Sequence, residues 1–454
     1  MAVPAVRVPI APGRLPGVGH ALRLRRDALK FLKSLPQYGD MVRIDLGPRS
    51  AYVVNTPELV CQVLVGEARK FHKGRLFDKA RPFMGNGVML SNGEFHLQQR
   101  RLVQPAFHRQ RINGYVRIMG ELASATADSL SPGQVVDMRD TMYNLVISIL
   151  GKTVFSTELG GWATIEAQRS MPIIQDMIAK RTISPLTFLE KLPTPGNRRF
   201  DRAIAALGEV LNRIIEEYRE DDTDYGDLLS MLVAARDQET GEGMSVNQMR
   251  DEIVNILAAG METTTDTLSW TYHELGQHPE VEQQAYEEAE RVLSGRPATV
   301  DDLAELEYLQ CVIKEVLRVH PPANLIMRKT IAPVELNGIP LPIDTEVIVS
   351  PFLLHHNPRL FLDPSRFDPE RWNREETASL PRGTFVPFGM GNRQCLGDTF
   401  AMTEMPVILA TIIRRWRLRP LPGHTVRPVQ AVTVSPGKLP MITEPRFPPT
   451  GVNY

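Results

Sequence analysis

The sequence predicts a mainly helical fold with a small β portion, and a length of 454 residues would by itself allow two or three domains. Helical periodicity dominates residues 93–275, and short alternating runs lie near both ends of the chain. Strands and helices do not alternate regularly, which argues against a doubly wound sheet. Residues 1–25 are a Pro-rich N-terminal segment whose apolar runs are too short for a signal peptide or a membrane anchor.

The composition is that of an ordinary globular protein, with 43% hydrophobic and 23% charged residues. A net charge of -1 favours neither nucleic acid nor an anionic membrane as a partner. The three cysteines, Cys61, Cys311 and Cys395, cannot all pair, which suits a reducing compartment. We therefore expect a cytoplasmic protein that binds neither nucleic acid nor membrane.

The strand predictions come from short alternating segments. The runs "MVRIDLG" and "SAYVVN" predict two early strands. The later run "PVELNGIPLPIDTEVIVS" predicts further strands, with an Asn-Gly turn between two of them.

The clearest helix begins at Ser245, where Gln248 completes a capping box, and continues to Leu275. Its middle reads "NILAAGMETTTDT", where Gly260 and a run of three threonines are poor helix formers. One interpretation is a polar stripe that faces solvent. The other is that Gly260 opens space for a ligand, beside which Glu262 and Thr263 supply protons.

A second helix, "YLQCVIKEVLRVHPP", ends at a pair of prolines and carries Glu315 and Arg318 on one face. Such a pair is common on protein surfaces and means little alone. Arg371 stands further along in "FDPERW", in a Pro-rich loop.

The stretch "FVPFGMGNRQCLGDTFA" contains Cys395 in an unusual setting. A lone cysteine is usually a small buried hydrophobe, and we accept that for the other two. Cys395 instead precedes an apolar helix, whose N-terminus would stabilise a thiolate. The neighbouring glycines would let the backbone approach a flat ligand. The pattern fits neither a phosphate loop nor a zinc site, whereas a single thiolate ligand to a haem iron fits.

At this point the sequence resembles the cytochrome P-450 family. "FGMGNRQCLG" matches its haem-binding signature at every fixed position, "AGMETT" matches its oxygen-activating helix, and "GEFHLQQRRLVQPAF" resembles its propionate-binding helix. Glu315, Arg318 and Arg371 match a structural triad of the family. His96 replaces the commoner tryptophan, so a surface histidine stays an alternative there. The resemblance implies these haem-binding residues: Cys395 as the iron ligand, with His96, Arg100, Arg328, Phe388, Gly389, Arg393 and Gly397.

The resemblance also implies a single-domain cytochrome P-450 fold over residues 1–454, haem b as the cofactor and a monooxygenase reaction with O2. Glu262 and Thr263 would pass protons to bound dioxygen. A separate ferredoxin and its NAD(P)H-dependent reductase would supply electrons near Arg100, Arg101 and Arg393, and a monomer is expected. A peroxide-using enzyme and a non-enzymatic haem sensor are the rival interpretations.

The expected substrate is a compact apolar molecule, because the regions that line the pocket in this family supply few hydrogen-bond donors here. Similar stretches in bacterial terpene-oxidising members, such as pentalenene oxygenase, favour a cyclic terpenoid, in particular a sesquiterpene. A fatty acid, for which Arg75 or Lys79 could bind the carboxylate, is an alternative, as is a macrolide or another secondary metabolite. The expected pocket residues are Phe83, Met84, Val88, Met177, Leu257, Ala258, Leu325, Ile326 and Val434.

Overall fold

The computed structural model describes residues 8–156, 158–183, 192–221, 223–237, 239 and 241–446. Residues 1–7 of the predicted Pro-rich segment lie outside this range. The helices are α1 (Ala21–Lys33), α2 (Pro57–Cys61), α3 (Arg75–Met84), α4 (Gly93–Val103), α5 (Arg109–Asp128), α6 (Met138–Val154), α7 (Glu158–Ile183), α8 (Pro195–Glu220), α9 (Leu228–Ala234), α10 (Val246–Gln277), α11 (Pro279–Leu293), α12 (Glu307–Val319), α13 (Pro351–His355), α14 (Glu375–Ala378) and α15 (Asp398–Ile413).

Short strands complete the fold. They are β1 (Met41–Leu46), β2 (Arg49–Val54), β3 (Phe71–Lys73), β4 (Val135–Asp137), β5 (Ile326–Thr330), β6 (Val334–Leu336), β7 (Ile339–Leu341), β8 (Glu346–Val349), β9 (Trp416–Pro420), β10 (Val429–Gln430), β11 (Val434–Ser435) and β12 (Pro440–Pro445). The chain is thus mainly helical with a small β portion, as predicted. Within the described helices, none has the length and hydropathy needed to cross a membrane.

The chain forms two compact units, and the prediction of a single domain stays a prediction. The first unit contains Met1–Asp78 and Lys314–Cys395, and the second contains Lys79–Ile313 and Leu396–Tyr454. The Cys395 turn therefore belongs to the first unit, and the predicted proton-relay helix α10 belongs to the second.

The first unit is organised around a five-stranded sheet in the order β1-β2-β8-β5-β3. β2 pairs with β8 in parallel, and the other neighbouring strands are antiparallel. Buried aliphatic side chains form two clusters in this unit, which include Val53, Val54, Val347 and Ile348 from the two central strands. The predicted Asn-Gly turn joins β6 and β7, with φ of 49° at Asn337 and 74° at Gly338.

The second unit contains the long helix α10. Its start is the predicted capping box, because the Ser245 side chain accepts from the Gln248 N–H and the Gln248 side chain accepts from the Ser245 N–H. The last two thirds of α10 are largely buried, and its Trp270 indole donates to the Val434 carbonyl at 3.0 Å. The prediction of a helix from Ser245 to Leu275 is confirmed to within two residues at its end.

Candidate active site

Cys395 lies in a tight turn of the first unit with an exposed side chain. Its backbone N–H donates to the Phe388 carbonyl at 2.9 Å, which closes the turn. Gly389 and Gly391 have φ values of 70° and 71°, which favour glycine. A methyl group on Gly391 would also overlap the Leu64 carbonyl oxygen. α15 begins at Asp398, so Cys395 precedes the first helical turn rather than lying in it.

Basic side chains of the first unit lie close to this turn. Lys73 and Arg328 are direct partners across the β3–β5 pair. Burial, followed by the charges of Arg328 and Arg393, holds the pKa of Lys73 well below its usual value, and Cys395 acts in the opposite direction. Lys73 is therefore close enough to Cys395 for the two groups to interact electrostatically.

Arg328 is the most telling of these cations. It is 7% exposed, and burial lowers its pKa to about 10. Among the residues that the structure describes, no carboxylate lies within ion-pair distance of it, and its guanidinium donates to the Met327 carbonyl at 3.0 Å. A buried charge without a counter-charge is costly. An exposed cysteine, together with a buried cation that has no carboxylate partner among the described residues, fits a haem, which carries both iron and carboxylates.

A buried ionic network supports this unit. Glu315 and Arg318 are both fully buried, and the carboxylate accepts from Arg318 at 2.7 and 2.9 Å. Arg371 and Trp372 donate to the same carboxylate at 3.4 and 3.1 Å. Arg318 also donates to three backbone carbonyls, those of His355, Pro364 and Arg366. The pair is thus a core network and not surface decoration.

This network is connected to the chain that leads to the cysteine. His355 is fully buried, and its Nε2 accepts from the Val386 N–H at 3.1 Å. Burial lowers the pKa of His355 to about 3, so the ring is neutral and can act as an acceptor. The Glu315 network therefore fixes a segment that starts nine residues before Cys395.

In the second unit, Glu262 and Thr263 are half-buried in the middle of α10. The Thr263 hydroxyl donates to the Ala259 carbonyl one turn earlier, at 2.7 Å, and its lone pairs can accept from a ligand. Gly260 does not open space for a ligand, because a Cβ there would lie 3.2 Å from the Leu150 side chain of α6. At this position the glycine allows α6 and α10 to pack closely against each other.

Glu262 belongs to a group of acidic side chains. Burial raises its pKa to about 7, and the charge of Asp266 one turn later adds to the rise. Asp266 is fully buried and accepts from Arg139 at 3.0 Å and from the Thr433 hydroxyl at 2.7 Å. Since its pKa lies near neutrality, Glu262 can both hold and release a proton under ordinary conditions.

A further buried acid, Glu404, lies on α15. Burial raises its pKa to about 8, while the Thr264 hydroxyl beside it opposes that shift. The sequence analysis missed Lys73, Asp266 and Glu404. The only available signal was an acid or a lysine inside an apolar or strand-like run, which is weak without tertiary contacts.

The remaining predicted residues divide between the units. Phe388, Gly389, Leu325, Ile326 and Arg328 belong to the first unit. The rest lie in the second unit: His96, Arg100, Phe83, Met84, Val88, Met177, Leu257, Ala258 and Val434. His96 is buried and Arg100 half-buried on α4, so the surface alternative for His96 is not supported. Gly397 is the N-cap of α15 with φ -91°, a value open to other residues.

A mainly helical architecture, with an exposed cysteine in a glycine-rich turn and the buried Arg328 in the same unit, is the arrangement expected of a haem-thiolate protein. A family model described as Cytochrome P450 matches residues 9–443. The chain belongs to the cytochrome P450 family, whose members are haem-dependent monooxygenases.

Several similar proteins align with this chain over nearly the whole length of both. Cyclooctat-9-en-7-ol 5-monooxygenase of Streptomyces melanosporofaciens is 47% identical, over 96% of this chain and 95% of its own. Cyclooctatin synthase of the same organism is 42% identical, over 96% and 95%. Pentalenene oxygenase of Streptomyces avermitilis is 38% identical, over 93% and 94%.

Proposed function

We propose that this monooxygenase oxidises a cyclic terpenoid, a compact molecule that is bound mainly by burial of apolar surface. The names of two relatives, which state cyclooctat-9-en-7-ol and pentalenene, support this substrate class. So does the apolar character of the expected pocket residues of the second unit, such as Met84, Leu257 and Val434, which are buried. Burial contributes about 25 cal/mol per Å² of apolar surface. The similarity to these relatives is the observation that carries the proposal.

A fatty-acid substrate is less well supported. Arg75, one of two possible partners for its carboxylate, already pairs with Asp344 and lies 3.4 Å from a carboxylate oxygen of Glu346. Lys79, the other, donates to the Arg181 carbonyl at 3.2 Å, although it stays exposed. A macrolide or another secondary metabolite remains an alternative of the same reaction type.

For the cofactor, we propose that Cys395 is the iron ligand and that Arg328 and Arg393 bind haem carboxylates from the first unit. The buried Arg328, which has no carboxylate partner within the described part of the chain, supports this assignment, and Lys73 joins the set as the partner of Arg328 across the sheet. His96 and Arg100 have the corresponding role in the second unit. The bound haem would supply dioxygen reduction and oxygen transfer.

The chain's own contribution to the reaction would be to deliver protons. One oxygen atom of O2 enters a C–H bond and the other leaves as water, so each turnover needs two electrons and two protons. Glu262 is proposed to carry the protons, and Thr263 to orient the accepting group by hydrogen bonding. The near-neutral pKa of Glu262 supports this role.

A separate ferredoxin and its NAD(P)H-dependent reductase are the proposed electron donors. Arg100 and Arg393 are the proposed docking cations. Arg101 contributes less than the sequence suggests, because Asp237 and Glu239 lie 3.5 Å from its guanidinium. Cys61, Cys311 and Cys395 form no disulfide, which agrees with the cytoplasmic location that we also propose, together with a monomeric state.

Two measurements test this proposal. Micromolar pentalenene or cyclooctat-9-en-7-ol should shift the Soret band of the purified protein, whereas long-chain fatty acids should not. Tight binding of fatty acids with no response to terpenoids would contradict the substrate class. Cys395→Ser should lose the red-shifted band of the reduced carbon monoxide complex, while Cys61→Ser, the control in the same unit, should keep it.

A further inference from the structure

The loop between α3 and α4 is attached to α10 by three side chains that lie close together on that helix. Asp251 accepts from the Asn86 N–H at 2.8 Å, and Glu252 accepts from the Val88 N–H at 2.8 Å. Asn255 donates to the Met84 carbonyl at 2.7 Å. These contacts lie within the second unit. Backbone groups that have no partner in a helix or a strand are here satisfied by side chains of one helix.

The loop sequence "MGNGV" is adapted to this contact. Gly85 has φ 74°, and a Cβ there would overlap the Asp251 carboxyl. A Cβ at Gly87 would lie 2.7 Å from the Asp251 carbonyl and 2.8 Å from the Asn255 side chain. Both glycines therefore allow the backbone to lie directly against α10.

Glu252 is the least expected member of the three. It is fully buried, and burial raises its pKa to about 7. Its Oε1 is buried too and has no donor within the described residues. A core position would be better filled by an apolar side chain unless the acceptor were needed. The group that needs it is the Val88 N–H.

The position of Glu252 on α10 relates it to the reaction. Glu252, Ile256, Ala259 and Thr263 follow at intervals of four, three and four residues, which places them on one face of the helix. At about 1.5 Å per residue, Glu252 lies roughly 16 Å from Thr263 along the axis. The loop that it holds carries Val88, an expected wall of the substrate site.

We propose that Glu252 is a positioning residue for the substrate. Together with Asp251 and Asn255 it forms a latch that fixes the Met84–Val88 segment on α10 and so shapes the substrate site. This role in substrate binding rests on the proposed function, whereas the latch itself can be tested without a substrate.

The experiment compares Glu252→Leu, which removes the acceptor, with Glu252→Gln, which retains one. Leu207→Ala, a cavity variant on the buried face of α8, serves as the control for general destabilisation. Hydrogen exchange of peptides covering residues 84–90 is measured in the haem-loaded protein without substrate. KM and kcat are then measured with the terpenoid that gives the largest spectral shift in the wild type.

Glu252→Leu should speed exchange of these amides about tenfold or more, and should raise KM about tenfold with kcat within twofold. Glu252→Gln should stay near the wild type in both. Exchange no faster than in Leu207→Ala would overturn the latch. Faster exchange with an unchanged KM would overturn the role in substrate binding. Failure of every terpenoid to shift the wild-type spectrum would overturn the proposed substrate class, and exchange would still decide the latch.

Discussion

The buried carboxylate of Glu315 should be essential for the stability of the first unit, and Glu315→Gln tests this at constant shape. One carboxylate oxygen accepts from Arg318, from the Asp368 N–H and from Arg371, and the other accepts from Arg318 and Trp372. An amide leaves at least two of these donors without an acceptor, including one guanidinium bond. At about 1.5–3 kcal/mol for a bond to a charged group, the loss reaches about 3–5 kcal/mol.

The assay is urea unfolding followed by tryptophan fluorescence at equal haem content. Glu121→Gln is the matched control, because Glu121 forms an exposed ion pair with Arg117 at 2.6 Å, worth about 0.2–1 kcal/mol. If Glu315→Gln does not fold, Trp372→Phe removes a single donor and should cost about 1–2 kcal/mol. The reasoning is refuted if Glu315→Gln lowers the free energy of unfolding no more than the control does.

Other substitutions test the turn and the acids. Gly391→Ala should lower the free energy of unfolding in urea by at least about 2 kcal/mol more than Gly133→Ala does. Both glycines have a positive φ near 70°, but only Gly391 faces a backbone carbonyl. Equal losses in the two variants would contradict the close approach. Asp266→Asn should lower the pKa of Glu262 from about 7, so that Glu262 loses its proton at a lower pH. As pH rises, the product formed per NADH should therefore decline earlier than in the wild type. An unchanged pH profile would contradict the electrostatic link. Thr263→Ala should still bind substrate and take up electrons but release more of them as peroxide; unchanged coupling would exclude the proposed role.

Local chemistry made some elements predictable. The capping box at Ser245 and the turn at Asn337 depend on neighbouring residues, so the sequence contains all the information that they need. The importance of Glu315 came instead from a resemblance, because an i,i+3 pair is the same on a surface and in a core. Only the tertiary structure brings Trp372 to Glu315 and the Arg366 carbonyl to Arg318.

Other features could not be read from the sequence, because they depend on contacts between distant segments. Lys73 and Arg328 meet through strand pairing. Leu150 lies opposite Gly260 because of how α6 packs on α10, so a glycine that suggested ligand space proved to be a helix contact. Glu252 gave no signal at all, since one acid near the start of a long helix is ordinary.

The pairing of β2 with β8 has a consequence for how the chain is made. Roughly 290 residues separate Val54 from Glu346, so at about 5–20 residues per second the ribosome needs about 15–60 s to deliver the partner strand. During that interval the early hairpin presents an unpaired, valine-rich edge, which is the kind of edge that recruits other chains. Newly made protein should therefore depend on chaperones most strongly before residue 349 has emerged. Growth at a lower temperature should improve its yield by reducing aggregation of nascent chains.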